Sequence, residues 1–209
     1  MFDLSSFKVF EIDGLKPRLD AIRCQIQPDF QTIGEKLCEL VNQATLKPSY
    51  LHIAQHRRRT THAPENTWCA ISTQKRGYKM EPHFQLGIWQ DYVFIYLSMI
   101  DQPKGQKAYA KYLLEHQVMF DELSNDFVYS INHTVKDFFP LENIGIESAL
   151  KRLEQVKKSE FEVGKVYQRE IFELKKEQEI LNDFSKTITA LLPIYQDLMN
   201  VRKTVQNEG

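Results

Sequence analysis

The sequence predicts an α+β fold in which a mainly antiparallel sheet of about five to six strands packs with helices. Two observations predict it. Apolar residues recur at helical spacing near both ends of the chain and once in its middle, whereas four consecutive segments between Tyr50 and Ile100 are rich in β-branched and aromatic residues. Because no helix separates these four strands, they are expected to pair as antiparallel neighbours. The length of 209 residues suits a single compact domain over 1–209.

The first helical pattern covers 15–44. Asp13 suits a helix cap, and Pro17 falls in the first turn, where its missing N–H group costs no hydrogen bond. Pro28 lies inside the pattern and is expected to kink the helix or divide it into two.

The remaining elements follow from changes in residue pattern along the chain. Strands are predicted at Tyr50–Arg57, Thr67–Thr73, His83–Gln90, Asp91–Ile100, Phe127–Thr134 and Phe161–Gln168. Helices are predicted at Lys104–Leu123, at Glu147–Val156 and from Phe172 onward, with a kink at Pro193.

The segment His83–Ser98 predicts a hairpin with Gln90-Asp91 as its two-residue turn. One face of this hairpin is uniformly apolar and is expected to pack on helices. The other face is aromatic and hydrogen-bonding, and consists of His83, Gln85, Gly87, Trp89, Tyr92, Phe94, Tyr96 and Ser98. This second face has two interpretations: the lining of a ligand cleft, or an amphipathic sheet face covered in part by a loop.

Two histidines, His52 and His83, are candidates for proton transfer, since imidazole titrates near neutral pH. The alternative is that both are ordinary histidines with satisfied hydrogen bonds. His52 and His56 have a spacing that binds metal on a helix, but on a strand these positions lie about 13 Å apart. We therefore predict neither a metal site nor a cofactor.

The charge is distributed unevenly. Seven basic residues and one acid lie between Lys47 and Lys79, so this segment carries +6, whereas the whole chain carries −1. The near-zero total excludes a protein that coats nucleic acid over its whole surface, but not a local anion site.

Two loops hold most of this positive charge, Arg57–Arg59 and Lys75–Lys79. We expect Arg58, Arg59, Lys75, Arg76 and Lys79 to contact phosphate, with Tyr78 and Trp68 stacking on a base. His83, Gln85 and Tyr96 complete the set of candidate ligand-binding residues. In a simple meander the two loops lie at opposite strand ends, about 20 Å apart, so an extended ligand would reach both and a mononucleotide only one.

Several motifs together resemble the YktB-like family of uncharacterised cytoplasmic proteins from Gram-positive bacteria. They are His52-x3-His56-x-Arg58-Arg59-Thr60, Thr67-Trp68, Lys75-Arg76-Gly77-Tyr78-Lys79 and Pro82-His83-Phe84-Gln85-x-Gly87. The resemblance runs from Gly14 to the C-terminal region and implies a compact α+β domain, but no catalytic residues. Arg57 departs from the family pattern, in which a small residue is usual there.

Cysteine usage and hydropathy favour a cytoplasmic protein with no membrane association. The three cysteines form no Cys-x-x-Cys pair, so free thiols in a reducing compartment are expected. The longest near-apolar run, Tyr92–Ile100, is far shorter than the roughly 20 residues that span a bilayer. The N-terminus lacks the pattern of a leader peptide.

Three functional hypotheses follow. The leading one is a binding module for an anionic ligand, either a nucleotide or a nucleic-acid segment. The second is an enzyme that acts on a phosphate- or carboxylate-bearing small molecule, with His83 or His52 as the acid or base. The third is a protein-interaction module in which the Trp89/Tyr92 end and the basic loops meet an acidic partner. The common nucleotide-binding, metalloprotease and hydrolase motifs are absent from the sequence.

Overall fold

The computed structural model describes residues 1–141 and 143–207, and within them it contains seven α-helices and a seven-stranded sheet. The helices are α1 (Leu4–Lys8), α2 (Leu15–Ala21), α3 (Gln27–Thr45), α4 (Gln106–Glu115), α5 (Asn143–Gln155), α6 (Ile171–Leu174) and α7 (Glu177–Asn207). A π-helical turn, Ile22–Ile26, joins α2 to α3, and short 3₁₀ turns lie at Val9–Glu11, Tyr78–Met80 and Gln117–Phe120. The strands are β1 (Tyr50–Ile53), β2 (Asn66–Ser72), β3 (His83–Trp89), β4 (Tyr92–Met99), β5 (Val128–Ser130), β6 (Phe139–Pro140) and β7 (Phe161–Gln168).

All of these strands form one antiparallel sheet with the order β1-β2-β3-β4-β7-β5-β6. The predicted hairpin is confirmed, since Ile88 pairs with Val93, and His83 pairs with Ser98. The α+β class and the antiparallel sheet are therefore confirmed, with seven strands instead of the predicted five to six. The strand that the sequence did not reveal is β6, which has two residues, one of them a proline at a sheet edge.

Helices cover the apolar face of the sheet. The ring of Phe84 on β3 lies 4.9 Å from the ring of Tyr195 on α7. Helix α3 approaches β1 and β2 so closely that a Cβ atom at Gly34 would lie 2.6 Å from the Leu51 side chain. This face of the sheet and the helices on it form the main hydrophobic core.

Two strands end earlier than predicted, for local reasons. β1 ends at Ile53 because the backbone turns at His56, whose φ is 49°. β5 ends at Ser130, where the Asn132 side chain accepts a hydrogen bond from the Thr134 N–H group and forms a turn. The first helical stretch stays helical from Leu15 to Thr45. It is not divided at Pro28, which lies in the first turn of α3, just after the π-helical turn Ile22–Ile26. Helix α7 continues through Pro193 without interruption.

In the described part of the chain, no helix is both long enough and apolar enough to cross a bilayer.

Candidate functional site

The aromatic face of the hairpin is covered by protein. Trp89, Tyr92, Phe94 and Tyr96 form a second buried cluster, separate from the main core. The segment between β5 and β6 covers it: the ring of Phe138 lies 5.5 Å from that of Tyr92, whose hydroxyl donates to the Lys136 carbonyl over 2.7 Å. Of the two interpretations of this face, the structure favours the covered sheet face.

His83, Gln85 and Tyr96 on the same face are buried, with 0%, 2% and 3% of their surfaces exposed. The His83 Nδ1 atom lies 2.8 Å from the Glu81 carbonyl oxygen and so donates to it, which leaves Nε2 to accept from the Gln85 amide at 3.0 Å. Burial lowers the pKa of His83 to about 4. His83 is therefore a neutral imidazole with both nitrogens occupied, and its contact with a ligand stays a prediction.

Tyr78 closes the face near β1. Its ring lies 5.2 Å from the ring of His52 and 5.0 Å from that of His83. His52 in turn has its Nε2 atom 2.8 Å from the Gln74 carbonyl oxygen. Tyr78 therefore packs against both histidines, of which His83 has no exposed surface and His52 is half-buried.

A buried carboxyl group that the sequence pattern did not reveal lies in the same row of the sheet. Glu162 on β7 is 2% exposed, pairs with Ser98 across the strands and accepts a hydrogen bond from its hydroxyl over 2.7 Å. Burial raises the pKa of Glu162 to about 7. The signal in the sequence is the alternation of side chains along β7, which places Glu162 and Gly164 on the same face of the sheet.

An open groove lies at the arginine loop, and we call it the basic groove. Its volume is 530 Å³, and it is lined by Ala54, Gln55, His56, Arg57, Arg58, Arg59, Trp68, Tyr78 and Lys79. The half-buried indole of Trp68 lies at its centre and donates to the Tyr78 hydroxyl over 2.9 Å, while the Lys79 ammonium lies 5.6 Å from the centre of its ring system. Thus the structure brings together Arg58, Arg59, Trp68, Tyr78 and Lys79.

Lys75 and Arg76 do not join this groove. Lys75 lies over the ring of Tyr50, 5.6 Å from its centroid, at the other end of β1. The predicted separation of the two loops therefore holds for these two residues but is wrong for Tyr78 and Lys79. The chain turns back at Gly77, whose φ is 75°, and the 3₁₀ turn carries Tyr78 and Lys79 over the sheet towards Trp68.

A buried glutamate holds the base of this loop. The carboxylate of Glu81, which has no exposed surface, accepts hydrogen bonds from Ser72 Oγ at 2.8 Å and from the Thr73 N–H group at 2.7 Å. The Arg202 guanidinium, from the end of α7, lies 2.5 Å from the same carboxylate. Glu81 thereby joins both ends of the loop to the C-terminal helix.

The basic groove has excess positive charge. Within the described residues, no carboxylate lies within 4.0 Å of the Arg57, Arg58 or Arg59 guanidinium groups. Lys79 pairs with the Asp101 carboxylate at 3.3 Å. Burial, and then the nearby Arg59 charge, lower the pKa of His56 to about 4, so His56 is neutral at physiological pH. Unpaired guanidinium groups at an open surface are suited to bind anions.

Across residues 1–141 and 143–207, no group of three or more His, Cys, Asp or Glu side chains is arranged to hold a metal ion.

Comparison with known proteins gives consistent matches over nearly the whole chain. Residues 2–195 match the family model described as a domain of unknown function, DUF1054. The UPF0637 protein YsbB of Lactococcus lactis is 55% identical over 202 residues, which are 96% of this chain and 100% of that protein. A UPF0637 protein of Enterococcus faecalis is 45% identical, covering 94% of this chain and 97% of its own. A UPF0637 protein of Listeria monocytogenes is 34% identical, covering 93% and 96%.

Proposed function

Because this chain belongs to the DUF1054 family of UPF0637 proteins, as its motifs predicted, and the family description assigns no activity, we propose a function from the geometry of the basic groove. We propose that the protein binds an anionic ligand there, either a nucleotide or a single-stranded nucleic-acid segment. The observation that carries this proposal is the presence of three arginines without carboxylate partners beside a half-buried tryptophan, in the part of the chain that the structure describes.

The electrostatic part of the proposal depends on the arginine loop. A guanidinium group donates two parallel hydrogen bonds to phosphate oxygens, and such charge-assisted bonds are roughly twice as strong as neutral ones. Arg57, Arg58 and Arg59 are all exposed, so they are free to contact a ligand without unfolding any element.

The aromatic part depends on Trp68. Stacking of a base on an aromatic side chain contributes about 1–3 kcal/mol and tolerates any base. The hydrogen bond to Tyr78 fixes the indole in the groove, and the Lys79 ammonium adds positive charge beside it. A ligand with both a phosphate and a flat ring therefore matches the groove best. We retain the prediction of a cytoplasmic protein.

The test is a fluorescence titration of a variant in which Trp68 is the only tryptophan. Trp89→Phe provides it, because the chain has two tryptophans and Trp89 lies in the separate buried cluster. The probes are adenosine monophosphate, a single-stranded oligonucleotide of about ten nucleotides and an acidic peptide. We expect the nucleotide or the oligonucleotide to quench Trp68 fluorescence.

Charge reversal identifies the binding surface. Arg58→Glu with Arg59→Glu is expected to weaken binding by about tenfold or more, since a hydrogen bond to a charged group contributes about 1.5–3 kcal/mol. The matched control is Lys157→Glu with Lys158→Glu, at two exposed lysines of another loop. An equal loss of affinity in the two double variants, or binding of the acidic peptide alone, would contradict the proposal.

Reversal at Lys75 and Arg76 separates the two ligand classes. A mononucleotide in the basic groove does not reach these residues, so its affinity is expected to stay unchanged. An oligonucleotide that runs along the sheet edge loses contacts with them and binds less tightly.

A further inference from the structure

A second, smaller pocket lies beside the basic groove. It shares Arg59 and Trp68 with the groove and is lined in addition by His62, Ala63, Glu65, Asn66, His133 and Thr134. Its volume is 210 Å³. The ring of His133 lies 6.1 Å from that of Trp68, nearly perpendicular to it. His133, which belongs to the segment that covers the aromatic face, thus lies beside the tryptophan.

His133 is held by a carboxylate. Its Nδ1 atom lies 2.7 Å from one Glu160 oxygen, and its backbone N–H group donates to the same oxygen at 3.0 Å. The Asp101 N–H group donates to the other Glu160 oxygen, also at 3.0 Å. Burial alone would raise the pKa of Glu160, but the hydrogen bonds from His133 and Asp101 hold it below its ordinary value. Glu160 is therefore an ionised acceptor at neutral pH.

This arrangement fixes the tautomer of the imidazole. With the Nδ1 proton directed at Glu160, the neutral ring carries its free lone pair on Nε2, on the edge away from the carboxylate. Among the residues that the structure describes, Nε2 has no hydrogen-bond partner. A carboxylate that orients a histidine in this way is the arrangement of a general base.

We propose that His133, oriented by Glu160, is the general base of a phosphate-ester hydrolase site whose substrate phosphate is bound by Arg59. This inference rests on the proposed function, because Arg59 belongs to both the pocket and the basic groove. It moves the acid–base role from His83 and His52, the sequence candidates, to a histidine whose second nitrogen is free to react.

The reaction balances without any cofactor or oxidant. The Nε2 atom of His133 takes a proton from a water molecule as the water oxygen forms a bond to phosphorus. The bond between phosphorus and the ester oxygen, on the opposite side of phosphorus, breaks; that oxygen takes a proton from solvent water, and the imidazolium releases its proton to solvent. The products are an alcohol and a phosphate, and the Arg59 guanidinium neutralises the charge that develops on the phosphoryl oxygens.

Other histidines are less suitable. His83 has both nitrogens occupied. His52 has its Nε2 atom 2.8 Å from the Gln74 carbonyl oxygen, and His56 has its Nε2 atom 2.9 Å from the Thr67 hydroxyl. The charged and titratable side chains near His133 lie on several elements. Arg59, His62 and Glu65 line the same pocket, Glu160 accepts from the ring, and His83 and Glu162 lie on the neighbouring sheet face.

The experiment measures phosphate or alcohol release from p-nitrophenyl phosphate, from bis(p-nitrophenyl) phosphate and from nucleoside monophosphates. The first two probes distinguish monoesters from diesters. We expect turnover of at least one probe. His133→Asn is expected to reduce kcat by about 100-fold or more, the usual contribution of a general base. The asparagine amide can still donate to Glu160, so the loop stays anchored.

Glu160→Gln separates catalysis from a structural role. Without the carboxylate the ring loses the acceptor that fixes its tautomer and orientation. We therefore expect Glu160→Gln to reduce kcat while KM, which depends on the phosphate contact with Arg59, stays unchanged. A purely structural pair would instead lower the unfolding temperature and change kcat and KM together.

The outcomes separate this inference from the proposed function. Nucleotide quenching of Trp68 without turnover of any probe would overturn the hydrolase inference and leave the anion site standing. Turnover that His133→Asn does not reduce, with the unfolding temperature of that variant unchanged, would overturn the role of His133. Loss of turnover with unaltered nucleotide affinity in His133→Asn is the result we expect.

Discussion

Glu162 gives the structure a pH-dependent stability that one substitution removes. Its carboxyl group is buried on the aromatic face of the sheet, with Ser98 as a hydrogen-bond donor. Burial raises the pKa of Glu162 from 4.5 to about 7. Replacement by Gln keeps the size and the hydrogen bond to Ser98 but cannot ionise. We expect Glu162→Gln to be more stable than the wild type at alkaline pH.

The magnitude follows from the difference between the folded and unfolded pKa values. Between pH 4.5 and about 7 the unfolded chain releases this proton and the folded protein retains it, so the free energy of unfolding falls as the pH rises. Each pKa unit corresponds to about 1.4 kcal/mol, so the full loss is on the order of 3 kcal/mol. The stabilisation is present below the unfolded pKa and is lost above the folded one.

Urea unfolding of both proteins from about pH 5 to about pH 8.5 measures this effect. His83 and His56, whose pKa values are lowered to about 4, also make stability depend on pH, but they do so equally in both proteins. The difference in free energy of unfolding between variant and wild type therefore isolates Glu162. A difference that stays constant over this pH range would refute the assignment of a raised pKa to this group.

Three further predictions concern the scaffold. In Gly164→Ala, the new Cβ atom would lie 1.9 Å from the backbone oxygen of Ile95, so we expect a markedly lower temperature of thermal unfolding. An unchanged unfolding temperature would contradict the close approach of β7 and β4. Glu81→Gln leaves the Arg202 guanidinium without a buried counter-charge, so the free energy of unfolding measured in urea should fall by about 3 kcal/mol. An unchanged free energy of unfolding would mean that the pair is not buried. The NMR chemical shifts of the His56 ring protons should stay constant from about pH 5.5 to about pH 8, because the pKa of His56 is lowered to about 4. A titration step near pH 6.5 would contradict the burial of this ring.

The sheet could be predicted from the sequence because its signals are local. Alternation along His83–Ser98 and a two-residue turn fix the register of the hairpin, and the structure has that register. β6 carries no such signal: it is two residues long, and its pairing with β5 depends on how the intervening segment folds over Tyr92.

The residue types of the site could be predicted, but not their arrangement. Tyr78 and Lys79 reach Trp68 because the loop turns back at Gly77 and is fixed at its base by Glu81 and Arg202, which no local pattern reveals. The cover over Tyr92 likewise depends on a distant segment, which carries Lys136 and Phe138.

The acid–base pair illustrates the same limit. His133 and Glu160 are 27 residues apart in sequence and meet only because β5 and β7 are neighbours in the sheet. Their residue types are unremarkable in isolation, and only the tertiary contact identifies them.

The salt dependence of oligonucleotide binding tests the central claim most directly. Four basic side chains line the basic groove: Arg57, Arg58, Arg59 and Lys79. If each contacts one phosphate of a single strand, the counterions released give a slope of about −3 for log K against log salt concentration. We predict this slope between about 50 and about 200 mM salt, and a slope nearer to zero by roughly 1.4 in Arg58→Glu with Arg59→Glu. Absence of binding at the lower salt concentration, or the same slope in both proteins, would contradict an anion site in the basic groove.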